Sequence, residues 1–387
     1  MTTPFRPGAA DLDRIAHDVE RIPAIQQTFL ANHPHLTVPD RVAHQYQIAG
    51  SKVMLDIGSN LPANFAGVGL FAPGTQHIGI GRISTGLGCP HLETDPDFLG
   101  LMAAFQTARG ERVDFLAIND PTAPSDTHTQ FMTLLDAAAD AAGIQAPFGS
   151  GLGKLDLPDL LASNLRVVRD LIRSFGVALG LRLAAHVIAQ TARTAASSTA
   201  YQTYWTGIVE VGGVLGKFMF VPATDENHLR ALTPGERHLS AEWRARQARG
   251  AVTFALHWLA FIDEEKTSTT AMMSRWEERP EPVGHLTFPQ VDAASADAPL
   301  WAALAAELGA NPANWVADVG NTIAEPGTEF GCARKFAYRL SQAGRDALPE
   351  AAYAHVFRGE PIGETLAAEL RRRRAAKQAA RHTDMAP

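Results

Sequence analysis

Arg334 and Tyr338 stand four residues apart in a stretch, Glu329–Gln342, whose residues suit a helix. At that spacing two side chains share one helix face, so the guanidinium can lie against the phenol. A phenol is a poor anion near neutral pH, its ordinary pKa being about 10. A cation within a few ångströms favours phenolate, and ferric iron favours it further. Taken alone, an Arg-x-x-x-Tyr is more often a surface pair. His44 follows Arg41 and an apolar pair, Val42-Ala43, and offers an imidazole that can take and return a proton. Ser84 and Asn119 add a hydroxyl and an amide. Asn119 also begins Asn119-Asp120-Pro121, a common turn sequence.

Other chemistries lack their residues. Gly79-Ile80-Gly81-Arg82-Ile83-Ser84 is glycine-rich but has no Lys-Ser/Thr, so it is no phosphate loop, and no long helix follows it to make a dinucleotide site. Neither G-x-S-x-G nor H-E-x-x-H occurs. The two cysteines, Cys89 and Cys332, belong to no CxxC, which excludes zinc knuckles, iron–sulfur clusters and a disulfide framework. His33-Pro34-His35 could hold a metal but reads more simply as loop punctuation.

These residues need a scaffold, and 387 residues with 46% hydrophobic content can bury a large core. A net charge of −7 disfavours general nucleic-acid binding, and the run Arg371–Arg374 then reads as a solvated helix face. The N-terminal 25 residues lack an apolar signal core, and the longest apolar run, Val252–Ile262, is too short to span a bilayer. A soluble, cytoplasmic protein is expected.

The apolar spacing predicts helices over 10–32, Thr127–Ala142 and Leu157–Thr194, the last as one or two pieces. Further helices are expected over Leu300–Leu308, Glu329–Gln342 and from about Gly363. Short apolar stretches bounded by turn residues predict strands at Lys52–Ile57, Gly67–Phe71, His77–Ser84, Gly100–Gln106 and Arg112–Ile118. Strand texture returns within Tyr204–Pro222 and Val252–Ile262. This order fits an α+β antiparallel barrel with surrounding helices, not alternating βαβ units. The expected divisions are an N-terminal helical arm over 1–38, a central domain over 39–345 with a helical insert near 150–200, and a helical tail over 346–387.

Four segments carry a further signal: Pro39-Asp40-Arg41-Val42-Ala43-His44; His77 to Thr85 with Arg82-Ile83-Ser84; Asp114-Phe115-Leu116-Ala117-Ile118-Asn119-Asp120-Pro121, followed by Phe131; and Arg334-Lys335-Phe336-Ala337-Tyr338, followed by Arg345. In this order they resemble the haem catalases and the wider catalase-related family, which includes allene oxide synthase-like proteins. Those typically show Pro-Glu-Arg-Val-Val-His, an Arg-Phe-Ser strand, Asp-Leu-x-x-Asn-Asn-Thr-Pro and a late Arg-x-x-x-Tyr. The likeness spans roughly residues 39–345 and is sparse between motifs. Pro96-Asp97-Phe98-Leu99-Gly100 echoes a further strand opening, with Leu99 in place of Arg.

The resemblance implies a catalase-like barrel holding haem b. Tyr338 would be the proximal iron ligand, with Arg334 beside it. His44 would be the distal base that moves a proton between peroxide oxygens as a ferryl species forms, with Ser84 holding its ring. Arg41, Arg82 and Arg345 match positions that bind haem propionates, and Phe131 matches an aromatic on the porphyrin face. The implied activity is reduction of hydrogen peroxide or small organic hydroperoxides.

Several positions depart from the pattern. Ile118-Asn119 stands for Asn-Asn, so either Asn119 reaches the pocket through a shifted backbone or the distal amide is missing. Thr122-Ala123-Pro124 replaces a Phe-Phe pair, leaving more room, and Arg339-Leu340-Ser341 replaces Pro-Asp-Thr after the tyrosine. These departures leave two alternatives: a fatty-acid hydroperoxide dehydratase or lyase on the same scaffold, and a catalase-like protein that binds without turnover.

Overall fold

The computed structural model describes residues 8–32, 41–86, 93, 97–141, 157–194, 198–223, 238–292, 295–314, 317–318, 321–322 and 328–383. His33-Pro34-His35, Pro39-Asp40, Cys89, Pro96 and the Gly149–Gly153 turn lie outside them.

Alternation of apolar and small or polar residues builds nine long or short strands into one antiparallel sheet. They are β1 (Gln47–Ile57), β2 (Gln76–Thr85), β3 (Leu99–Gln106), β4 (Arg112–Ile118), β5 (Tyr204–Thr206), β6 (Val209–Val211), β7 (Val214–Pro222), β8 (Val252–Ala260) and β9 (Glu281–Phe288). The order is β5-β4-β3-β2-β1-β9-β8-β7-β6, and a direct β5–β7 pairing, Tyr204↔Phe220 and Trp205↔Met219, closes the barrel. Strand β6 extends β7 as a hairpin outside the ring.

The barrel interior is filled. Inward residues Val53, Leu55, Leu101, Phe105, Phe115, Phe218, Phe220, Phe254, Trp258 and Phe288 form one buried cluster. Its rings meet edge to face, as with Phe65–Phe71 at 4.7 Å and Phe115–Phe218 at 5.1 Å, the arrangement their quadrupoles favour. The glycine of Gly81 belongs to this packing: a Cβ there would fall 2.6 Å from the Phe288 ring and 2.4 Å from Val53. Gly67–Phe71 is not a strand. Gly67 and Gly69 take positive φ (74° and 52°), and the turn drives Phe65 and Phe71 into the barrel mouth.

Helices clothe the outside. Helices α1 (Ala9–Val19), α2 (Ile22–Asn32), α3 (His128–Ala141) and α7 (Glu329–Gly344) share a second cluster around Ile15, Ile22, Phe29, Met132, Leu135 and Cys332. The two N-terminal helices therefore pack with the late helix that carries Tyr338. Thr328 caps α7, its hydroxyl accepting from the Gly331 N–H at 3.0 Å. Helix α4 (Leu157–Thr194) breaks at Gly176, where φ is 78°. It folds back there, so close that a Cβ on Gly180 would fall 2.6 Å from the Ile172 backbone. By length and composition Leu161–Thr194 could cross a membrane, and this hairpin carries every exposed large hydrophobic among the described residues, from Leu161 to Ile188.

Two of the longer elements lacked a sequence expectation, α5 (Leu239–Arg249) and strand β9. Helices α6 (Ala298–Glu307) and α8 (Glu364–Thr383) cover the far side, packing on Ile80, Met102 and Ala104. The tail is tied to β4 by a buried network. Arg112 pairs with Asp114 at 2.6 Å, donates to the Tyr353 hydroxyl at 2.9 Å and stacks over Phe357 at 5.0 Å.

Candidate functional site

Because the interior is full, any site must lie on the outer face. Pairing aligns Ser84 with Gly100, Gly100 with Ile118, Ile118 with Trp205 and Trp205 with Met219, one row crossing β2, β3, β4, β5 and β7. Helices α1, α2, α3 and α7 roof that row. Between roof and sheet lies a mainly apolar cavity of roughly 270 Å³. Eight of the sequence-derived residues, Arg41, His44, Arg82, Ser84, Phe131, Arg334, Tyr338 and Arg345, line it together.

His44 takes a left-handed backbone conformation, φ 59°, uncommon for a residue with a Cβ. Its N–H donates to the Gly86 carbonyl at 2.8 Å, and its own carbonyl accepts from Arg82 Nη2 at 2.6 Å, so both sides of the strained residue are held. The ring Nδ1 lies 3.0 Å from the Thr85 carbonyl. A carbonyl only accepts, so Nδ1 carries the hydrogen and Nε2 is left as the base. Ser84 Oγ is 3.3 Å from the same Nδ1. The Thr85 carbonyl, which sequence reasoning missed, is the nearer orienting group. Gly100 makes room for the ring, since a Cβ there would sit 2.5 Å from Nδ1. Burial, followed by the charge of Arg82, pushes the imidazole pKa down to about 4, with Asp97 opposing. The ring is therefore neutral through the ordinary pH range.

On the roof, Tyr338 faces the same cavity and its hydroxyl makes no hydrogen bond among the described residues. The Arg334 guanidinium carbon stands over the Tyr338 ring, 5.7 Å from its centre, so the contact is cation–π rather than guanidinium against oxygen. At the cavity edge, Arg41 and Arg345 converge on the C-terminal carbonyls of α6. Arg41 donates to Ala306 O and Arg345 to Leu308 O, each at 2.9 Å. The negative end of that helix gathers both cations.

Asn119 is a correction. Its amide does not line the cavity: Oδ1 accepts from the Leu99 N–H at 2.7 Å, and Nδ2 donates to Thr194 O at 3.1 Å and Gln202 at 3.3 Å. Strand alternation turns Ile118 outward into the cavity instead, so an alkyl group, not an amide, faces it there. Thr122 and Ala123 also line the wall, with no aromatic pair.

Sequence reasoning overlooked three further lining residues. His128 is buried with Nε2 2.8 Å from Asp18 and Nδ1 2.5 Å from Glu329, clamping α1, α3 and α7 together. Its partners lie 110 and 201 positions away, beyond the reach of any local signal. Lys217 and Trp205 line the β5–β7 end. Alternation in Lys217-Phe218-Met219-Phe220 does carry that signal, because inward Phe218 and Phe220 force the lysine outward.

No protein-family model and no curated protein sequence matches the chain. Among solved structures, a bacterial catalase superposes with a TM-score of 0.59 at 18% identity, covering 87% of this chain and 62% of that one. A fungal catalase gives 0.57 at 14% identity, covering 82% and 61%. Catalase A from Saccharomyces cerevisiae gives 0.56 at 12% identity, covering 85% and 64%. The chain thus spans less than two thirds of the length of these catalases. Its fold is catalase-like: a closed eight-stranded antiparallel barrel with surrounding helices.

Proposed function

We propose that the chain is a soluble, cytoplasmic haem-dependent hydroperoxidase, an oxidoreductase acting on hydrogen peroxide or small organic hydroperoxides. The observation that carries this reading is that a neutral imidazole with a bare Nε2 and a phenol hydroxyl without a hydrogen-bond partner among the described residues face one cavity from its two walls. Haem b fits the residues present. Tyr338 supplies an oxygen ligand with a cation over its ring, and Phe131 an aromatic face. Arg41, Arg82 and Arg345 supply guanidinium donors for propionates. Bound haem would supply an iron centre able to accept oxidising equivalents from a peroxide.

The chain's own residues would do the rest. His44 Nε2 would take the proton from the near peroxide oxygen and return it to the far one, which leaves as water or an alcohol when the O–O bond breaks; the two electrons would be supplied by bound haem and made good by a second peroxide or an external donor. Help of this kind is worth on the order of 10²–10⁴-fold. Thr85 O and Ser84 Oγ keep Nε2 aimed at the cavity by holding Nδ1. Arg334, over the Tyr338 ring, holds that side chain against the cavity. With Ile118 where an amide donor is expected, no side chain there orients a small peroxide by hydrogen bonding, which favours peroxidatic turnover of organic hydroperoxides over oxygen release.

The small Thr122-Ala123 wall and the apolar lining also favour a fatty-acid hydroperoxide dehydratase or lyase as the second reading. Purification with haem supplied, followed by absorption spectra with and without peroxide, tests the proposal. Parallel assays of oxygen release and of lipid hydroperoxide loss separate the two activities. A colourless protein that forms no Soret band would overturn both.

A further inference from the structure

Lys217 is the charged group that the proposed chemistry leaves unused. It is 4% exposed, yet its side chain lines the cavity. An ammonium has three N–H donors. Among the described residues Lys217 donates one hydrogen bond, to the Pro121 carbonyl at 3.2 Å, and otherwise rests 4.7 Å from the centre of the Trp276 ring. Two carboxylates favour its charged form without pairing with it among the described residues, Asp120, which also lines the cavity, and Glu278, which accepts from Arg275 at 3.0 Å. Asp120 accepts from the Thr122 N–H at 2.9 Å and from Arg193 at 3.1 Å. Burial pushes the amine down to about 8, so it is still mostly protonated at neutral pH.

A second donor lies on the paired strand and lines the same cavity. The Trp205 indole Nε1 is buried and has no hydrogen-bond partner among the described residues. Trp205 pairs with Met219, and Lys217 lies two residues along the same strand, so all three share the outer face of the sheet. A buried donor without an acceptor costs about 1–3 kcal/mol, which a ligand acceptor would recover.

We propose that Lys217 and Trp205 form a carboxylate subsite at the β5–β7 end of the cavity, so that the substrate is a hydroperoxide carrying a carboxylate at its other end. This deepens the hydroperoxidase reading and rests on it for the reacting group. His44 stands over Gly100 on β3, while Lys217 is on β7, separated from it by β4 and β5. At the usual strand spacing that distance is about 14 Å along the sheet. A chain would lie across Ile118 with its anionic end at Lys217 and its hydroperoxide beneath His44. The arginines proposed for propionates sit at the opposite end, on β2, before β1 and after α7. The shared chemistry is a carboxylate, and a haem propionate is the other possible source.

The test is calorimetric titration of the purified full-length chain, with and without haem, using dodecanoate and its methyl ester. Dodecanoate should bind at least tenfold more tightly than the ester at pH 7, and its advantage should fade as pH rises through about 8. Lys217→Gln should remove the advantage. Trp205→Phe, which keeps the ring and deletes only the N–H, should reduce it severalfold. Equal binding of acid and ester, or an acid preference untouched by Lys217→Gln, overturns the proposal. So does a Lys217→Gln variant that keeps the acid preference but retains less haem, since the carboxylate served would then be a propionate. Failure of the hydroperoxidase reading shows separately, as absence of a Soret band, while titration of the haem-free chain still decides the subsite.

Discussion

Replacing Gly100 by Ala tests the distal wall with one methyl group. The new Cβ would fall 2.5 Å from His44 Nδ1, 2.7 Å from Cε1 and 2.9 Å from Ser84 Oγ. Comfortable contacts lie near 3.5–4.0 Å, so the imidazole must move by about 1 Å. It has little freedom to do so, because its backbone is held in the left-handed region by Gly86 and Arg82. The shift must therefore break the Nδ1 bond to Thr85 and re-aim Nε2. A displacement of that size at a reacting group costs on the order of 10²-fold, within the 10²–10⁴-fold that a general acid–base group contributes. The overpacking itself should cost about 1–3 kcal/mol of stability, leaving a folded protein. Stopped-flow measurement of haem bleaching or compound formation on mixing with peroxide, beside a His44→Gln control, gives the comparison. A Gly100→Ala rate within twofold of the parent, in a protein whose His44→Gln variant is inactive, would refute the claim that this glycine positions the base.

Other perturbations reach different parts of the molecule. His44 has its pKa near 4 in the fold against about 6.5 when exposed, so the unfolded chain binds more protons there between those values. Its contribution to stability should fall as pH drops from about 6.5 to about 4, and the peroxide rate should stay flat above about pH 5 and decline below it. Stopped-flow rates and denaturation midpoints across that range check both. Tyr338→Phe should remove the phenolate charge-transfer bands or the haem itself, read by absorption and haem stoichiometry. Asp114→Ala takes from Arg112, whose side chain is 5% exposed, the nearer of two carboxylates, leaving Glu350 at 3.5 Å, and takes from the Asn311 N–H its acceptor; it should cost about 3 kcal/mol in a urea titration. Ile118→Asn should raise oxygen release relative to organic hydroperoxide turnover, by returning a donor to the cavity wall.

The strands and helices that carry the site were legible because their periodicity is local. Leu101, Ala103 and Phe105 alternate with Gly100, Met102 and Ala104, and the helix of Arg334 and Tyr338 has a plain amphipathic spacing. The meeting of His44, Ser84 and Tyr338 was legible only through the ordered motifs, because no local rule brings residue 44 to residue 338. Asn119 was misplaced for a definable reason. Composition shows that an amide is present, whereas strand parity decides which of Ile118 and Asn119 faces outward. Strand β9 was missed because Pro282 and Gly284 interrupt its pattern and the β8–β9 register shifts at Leu256/His257. The carboxylate-bound His128 is not legible because its partners lie 110 and 201 positions away, whereas the outward parity of Lys217 is local.

Parity also explains why the core and the site do not compete for the same residues. In each of β2, β3, β4 and β7 one set of alternate side chains fills the barrel, and the other set faces outward, part of it as the cavity floor and part of it, as with Ile80 and Ala104, under the far helices. Phe218 and Phe220 face the interior while Lys217 and Met219 face outward. Slipping one of these strands by a single residue would exchange the two sets, placing Lys217 among phenylalanines and a phenylalanine in the cavity. The aromatic interior that fixes this register therefore also fixes which groups reach the cavity. Outward positions such as Ile118 can then change at little cost to the barrel. The cavity lining is thus open to change while the barrel that places it is kept.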